Sequence, residues 1–232
     1  MAIFYKKSLQ SGRSMIEMLG VLSIIGVLSI AGIAAYSQAM FKHQLNQHLE
    51  SFSLFLNNAI ALLPNVRHDY GQGLPSGTLN KFFADTSMLP AGMYYNPRLA
   101  AITDVFKNQL VIRYAHYNNT NSGKGSSEYY INITIDRNDD KISSRAKAIC
   151  RNVLIASKEN AANIWAVEMR SGSANPNGSY SSTALVGGTY GINGKMKRLV
   201  DAGLTDFEEV CTSCNSQRFC EIVLYINVVY HS

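Results

Sequence analysis

Between Met18 and Phe41 the chain carries no charged residue, and the string from Met18 to Ala35, MLGVLSIIGVLSIAGIAA, is apolar almost throughout. A helix needs about 20 such residues to cross the hydrocarbon of a bilayer. The rest of the chain has ordinary charge spacing, so the low overall charge, 16% of 232 residues against roughly 25% in soluble domains, is a deficit at one end only. No second run of 18 or more apolar residues occurs. A plain cytosolic globule and a multi-spanning protein are both ruled out. What remains is one membrane-capable segment carrying one exported domain, with about 170 residues past Leu63 to bury a core.

Lys6 and Lys7 precede the apolar run, which places the N-terminus on the cytoplasmic side. A discarded secretory signal would be cut after the small residues ending at Ala35. Two features oppose that reading: Glu17 stands at the head of the run, and helical patterning continues past Ala35 without a break. From Ser14 to Leu63 there is no proline, and Pro64 is expected to end a helix of about 75 Å. Residues 15–37 would span the membrane. Residues 38–63 are amphipathic, with Phe41, Leu45, Leu49, Phe52, Leu56, Ile60 and Leu63 along one stripe and Lys42, His43, Gln47 and Glu50 facing elsewhere. In the first half Gly20, Ser23, Gly26, Ser29 and Gly32 recur every three residues. Small residues let helices approach closely, and glycines loosen the helix locally.

The string GRSMIEMLGVLSIIGVLSI resembles the cleavage and assembly region of type IV prepilins, in which a glycine precedes the cut and a glutamate lies five residues after it. Gly12 and Glu17 have that spacing. The resemblance implies that a prepilin peptidase cuts between Gly12 and Arg13, removing a leader of residues 1–12 and leaving a new N-terminus that the family usually methylates. It also implies a role for Glu17, the neutralisation of a neighbouring subunit's N-terminal amine. That contact would set the axial register as subunits leave the inner membrane, through the assembly platform, for a filament on the bacterial cell surface. A carboxylate near hydrocarbon costs several kcal/mol unless it is paired, so it has a reason to be there. The chain departs from the family at Arg13, where an apolar residue is usual; Arg13 and Glu17 are also spaced to pair within one helix. It also lacks the proline many pilins carry in the apolar half, and Gly26 and Gly32 would supply that flexibility.

Past Pro64 the sequence predicts a turn-rich loop and a short helix, LNKFFAD, capped by Thr78. The "LP-x-x-M" form of SMLPAGMYYNPR resembles a segment that follows the long helix in type IVb pilins. Gln109–Tyr117 and Glu128–Asp136 alternate and are rich in Val, Ile, Thr and Tyr, so they read as a hairpin. Next come a helix over about Asp140–Lys158, a strand around Trp165, an exposed loop at 171–183, a short helix over Lys195–Ala202 and a long apolar strand over Cys220–Tyr230. The expected fold is α+β, a long N-terminal helix packed on an antiparallel sheet in a pilin-like head of residues 64–232.

Four cysteines, Cys150, Cys211, Cys214 and Cys220, all past the apolar run, suit an oxidising compartment and allow three full pairings. Their placement resembles the type IVb arrangement, in which a disulfide brackets the C-terminal region. That resemblance implies Cys150 bonded to one late cysteine and a local bridge between the other two, with Cys150–Cys211 and Cys214–Cys220 as the expected pairs.

Other chemistry lacks its full pattern. Cys211-Thr-Ser-Cys214 has neither a second CxxC nor a nearby histidine to complete a zinc site. Asp136, Asn138 and Asp140 have calcium-loop spacing, but Lys141 and Lys147 occupy the places of the glycine and the bidentate glutamate. GGTYGINGK is not a Walker A motif, the five histidines form no ligand spacing, and no serine sits in a nucleophile elbow. The expectation is no enzyme, no cofactor and no metal. A structural filament subunit that self-assembles through its N-terminal helix leads. A minor pseudopilin of a type II secretion system, or a tip adhesin or DNA-uptake subunit, is the alternative. The net charge of +5 is a mild bias, and only Lys195, Lys197 and Arg198 form a candidate nucleic-acid patch. A signal-anchored periplasmic enzyme is a third class.

Overall fold

The structure, a computed structural model, describes residues 11–70, 77–118, 125–135, 144–171, 181–186, 198–213 and 220–226. They fall into two compact units, residues 1–44 and residues 45–232. Among the described residues the first unit is helix alone. It is the first part of α1, Ser11–Tyr70, which enters the second unit at Leu45.

α1 does not stop at Pro64, contrary to expectation, but runs seven residues beyond Leu63 to Tyr70. A proline inside a helix costs about 3 kcal/mol. The three turns before it carry Phe52, Phe55, Leu56, Ala59 and Leu63, all fully buried, and each of the larger ones contributes about 1.5–3 kcal/mol. The second unit begins at Leu45, and the amphipathic half of α1 supplies part of its core.

The second unit is α+β. Its strands are β1 (Gly77–Thr78), β2 (Tyr94–Asn96), β3 (Ala101–Thr103), β4 (Gln109–Asn118), β5 (Gly125–Ile135), β6 (Ile164–Ser171), β7 (Ser181–Val186) and β8 (Cys220–Ile226). They form one sheet in the order β2-β3-β4-β5-β8-β6-β7, with β1 pairing β4, and every pairing is antiparallel. The predicted hairpin is β4–β5, with Gln109 opposite Thr134 and Asn118 opposite Gly125. β8 lies inside the sheet, between β5 and β6, as its apolar composition requires. Period-2 alternation sends Ile131, Ile133, Ile222, Leu224, Val167 and Met169 into the core.

The helices α2 (Asn80–Asp85), α3 (Ser144–Glu159) and α4 (Leu204–Ser213) add Phe83, Ile149, Val153, Phe207 and Val210 to the same cluster as the inward stripe of α1. Side-chain amides tie the elements together. Asn58 Nδ2 donates to the Met88 carbonyl at 2.9 Å, and Asn152 Nδ2 donates to the Leu45 carbonyl at 2.8 Å. Buried Asn80 accepts the Ile112 N–H at 2.7 Å while donating to the Ala100 carbonyl at 2.6 Å.

Three local expectations need correction. Thr78 does not cap α2: it pairs with Arg113 in β1, and the residue before the helix, Leu79, makes no side-chain cap. Residues 181–183 are strand and not loop, because Ser181, Ser182 and Thr183 pair with Ser171, Arg170 and Met169 of β6. Of Lys195–Ala202 the described part is a 3-10 turn, Leu199–Asp201, and the longer helix here, α4, starts after Gly203. Asp206 caps that start by accepting the Gly203 N–H at 2.7 Å.

Candidate functional site

A helix can display apolar side chains to water only at a cost, so a long exposed apolar stretch marks a surface meant for something else. Every residue of α1 from Met15 to Met40 is exposed, including Ile16 at 74%, Ile30 at 72% and Ile33 at 70%. This helix is long and apolar enough to cross a membrane, with a mean hydropathy of 2.3 over its most apolar window. Glu17 lies on this stretch, exposed. Gly12 and Arg13 are in its first turns, and nothing is described of the Arg13 side chain.

The small residues give the stretch its relief. A methyl group at Gly20, Gly26 or Gly32 would meet nothing within 4 Å, so the domain's own fold does not require glycine at these positions. Helical residues three apart step by about 60° around the axis. Gly20, Ser23, Gly26, Ser29 and Gly32 therefore wind around the helix instead of forming one seam. Ser23 returns its hydroxyl to the Gly20 carbonyl at 2.8 Å, which satisfies it without a partner outside the helix.

Of the remaining sequence-predicted residues, Cys150 on α3 and Cys211 on α4 form a disulfide with Cα atoms 5.8 Å apart and both side chains fully buried. Cys211 is thereby removed from any CxxC chemistry. Cys220 is buried at the start of β8, and Cys214 lies outside the described residues. So do Lys195 and Lys197, while Arg198 pairs with Asp201 at 2.7 Å and is held on the surface. Asp136, Asn138 and Asp140 are also outside. Among the described residues no three His, Cys, Asp or Glu side chains are placed to hold a metal ion.

One polar cluster was missed from sequence. On the outward face of β5, β8 and β6, Arg170 lies 2.7 Å from Glu168 and 3.4 Å from Glu221. The Tyr225 hydroxyl donates to Glu168 at 2.8 Å, and Asn132 Nδ2 donates to Glu221 at 2.8 Å. Burial pushes the Glu168 carboxyl up, but the hydrogen bonds from Arg170 and Tyr225 outweigh it and hold the group below the usual carboxylate range. Burial likewise opposes the Arg170 charge, and the bond to Glu168 overcomes it, leaving the guanidinium more firmly protonated than usual. A carboxyl with a lowered folded-state pKa contributes stability above its unfolded value near 4.3 and loses it as pH falls through the folded value. The domain should therefore lose melting temperature below about pH 4.5. Glu168→Gln should flatten part of that acid limb; an acid limb of unchanged steepness would refute this assignment.

No family model, curated protein or solved structure matches this chain.

Proposed function

We propose that the chain is a structural subunit of a type IV pilus or related filament, made as a precursor and assembled through α1. The observation that carries this reading is the double life of one helix. α1 is exposed and apolar from Met15 to Met40, while between Phe52 and Leu63 its inward stripe is core of the second unit. A simple anchor needs only apolarity. This stretch also has glycines that the domain's fold does not need, and a carboxylate at its head.

In this reading a prepilin peptidase cuts between Gly12 and Arg13. The new amine of one subunit meets Glu17 of its neighbour, and the apolar stretch passes from lipid into a core of packed helices. Gly20, Gly26 and Gly32 supply close approach on successive sides of the helix, as a subunit surrounded by several neighbours needs. The test is mass spectrometry of filaments sheared from the cell surface. The expected mature chain begins at Arg13. A chain beginning at Tyr36, as after a secretory signal, would overturn the reading.

A further inference from the structure

From Leu45 to Leu63 α1 lays a largely apolar stripe against the second unit, and His48 is the polar residue of this stretch that is fully buried. His48 is 1% exposed, its ring stacked on Phe52 at 6.0 Å and 7° and tilted against Phe106 at 5.6 Å. Among the described residues neither ring nitrogen has a hydrogen-bond partner. Nε2 lies 3.2 Å from a carboxylate oxygen of Asp104, outside hydrogen-bond geometry. Asp104, also buried, is held by its own turn between β3 and β4. It accepts the Phe106 and Asn108 N–H groups at 2.9 and 2.8 Å and the Asn108 side-chain amide at 2.8 Å. The turn thus presents the carboxylate at a fixed point without help from α1.

A buried imidazole with no hydrogen bond is a poor way to gain stability. A phenyl ring between Phe52 and Phe106 would fill the same space with no polar atom to desolvate. What histidine adds is discrimination. The stripe repeats apolar residues every three or four positions, so a slide by one turn would still offer leucine and phenylalanine to the core. A slide that brought Phe52 to the place of His48 would also set a phenyl ring, with no N–H to offer, against the Asp104 carboxylate. A lone polar residue in an apolar helical seam fixes register at a cost in stability. We propose that His48 and Asp104 form such a register pin, which sets where the sheet sits along the part of α1 that enters the second unit. The inference is independent of whether the chain assembles into filaments.

The test uses the full chain in detergent micelles. Two contacts report register: the Ser51 hydroxyl on the Ala91 carbonyl, 2.9 Å, and the Asn152 amide on the Leu45 carbonyl, 2.8 Å. In His48→Phe we expect an unchanged or higher melting temperature. The amide resonances around Ala91 and Asn152 should split into two sets, the minor one near 10%. In His48→Phe/Phe52→His, which moves the imidazole one turn at constant composition, the set should shift as Asn152 meets Leu49 in place of Leu45. A split or shifted set in either variant supports the pin. A single unshifted set in both, or a His48→Phe protein that no longer folds, overturns it, because the imidazole would then serve stability alone.

Discussion

Glu17→Ala should abolish surface filaments while leaving the folded domain intact, since residue 17 lies outside the unit that begins at Leu45. In the proposed filament, a neighbour's amine that has lost the Glu17 carboxylate would be an unpaired charge near hydrocarbon, at a cost of about 3 kcal/mol. That would weaken each docking step roughly 100-fold. A filament is a series of such steps, so the yield of sheared filament should fall below detection. The melting temperature of the domain should not move. Lys42→Ala, on the exposed side of the same helix, is the control and should assemble normally. Wild-type filament yield from Glu17→Ala would sink the assembly role.

Replacing both Cys150 and Cys211 with alanine should have the largest effect on the domain itself. The bridge closes a loop with a sequence separation of 61, worth about 4 kcal/mol in the chain-entropy account. At about 2–4 °C per kcal/mol for a domain of this size, the melting temperature should drop by about 8–16 °C. Both sulfurs sit in the core cluster with Ile149, Val153, Phe207 and Val210, so the loss includes packing. Thermal unfolding of the full chain in detergent is the measurement. A drop of under about 3 °C would mean that α4 stays docked on α3 without the bond.

The elements that were legible in the sequence are those whose signal is local. The alternation at 109–117 and 128–136 is a period-two signal, and Gln109–Asn118 pair with Gly125–Thr134 as β4 and β5 without a break in register. The apolar run of α1 reads directly from its length. β7 is the opposite case. SSTALV has loop composition at its start, and only pairing with β6 makes it strand. Pro64 is a strong local stop signal that α1 nevertheless runs through, to Tyr70. For α4 the signal was present, since Phe207, Val210 and Cys211 share a helical face and Asp206 caps its start.

The same division holds for the site. Gly12 and Glu17 stand out because they are five residues apart. Glu168 and Arg170 meet Glu221 and Tyr225 only through the β6–β8 register, across more than 50 positions. His48 reads as one polar residue in an amphipathic helix until a turn 56 positions away brings Asp104 to it.

The place of β8 has a consequence for how such a chain is made. β4 and β5 can close as a local hairpin as soon as both exist, but β6 and β7 can join that hairpin only through residues 220–226. Pairing Tyr129 with Ile226 closes a loop of almost a hundred residues, the kind of distant contact that slows folding. Until that strand arrives, β5 and β6 each present an open edge, the form of backbone most prone to pair with the wrong chain.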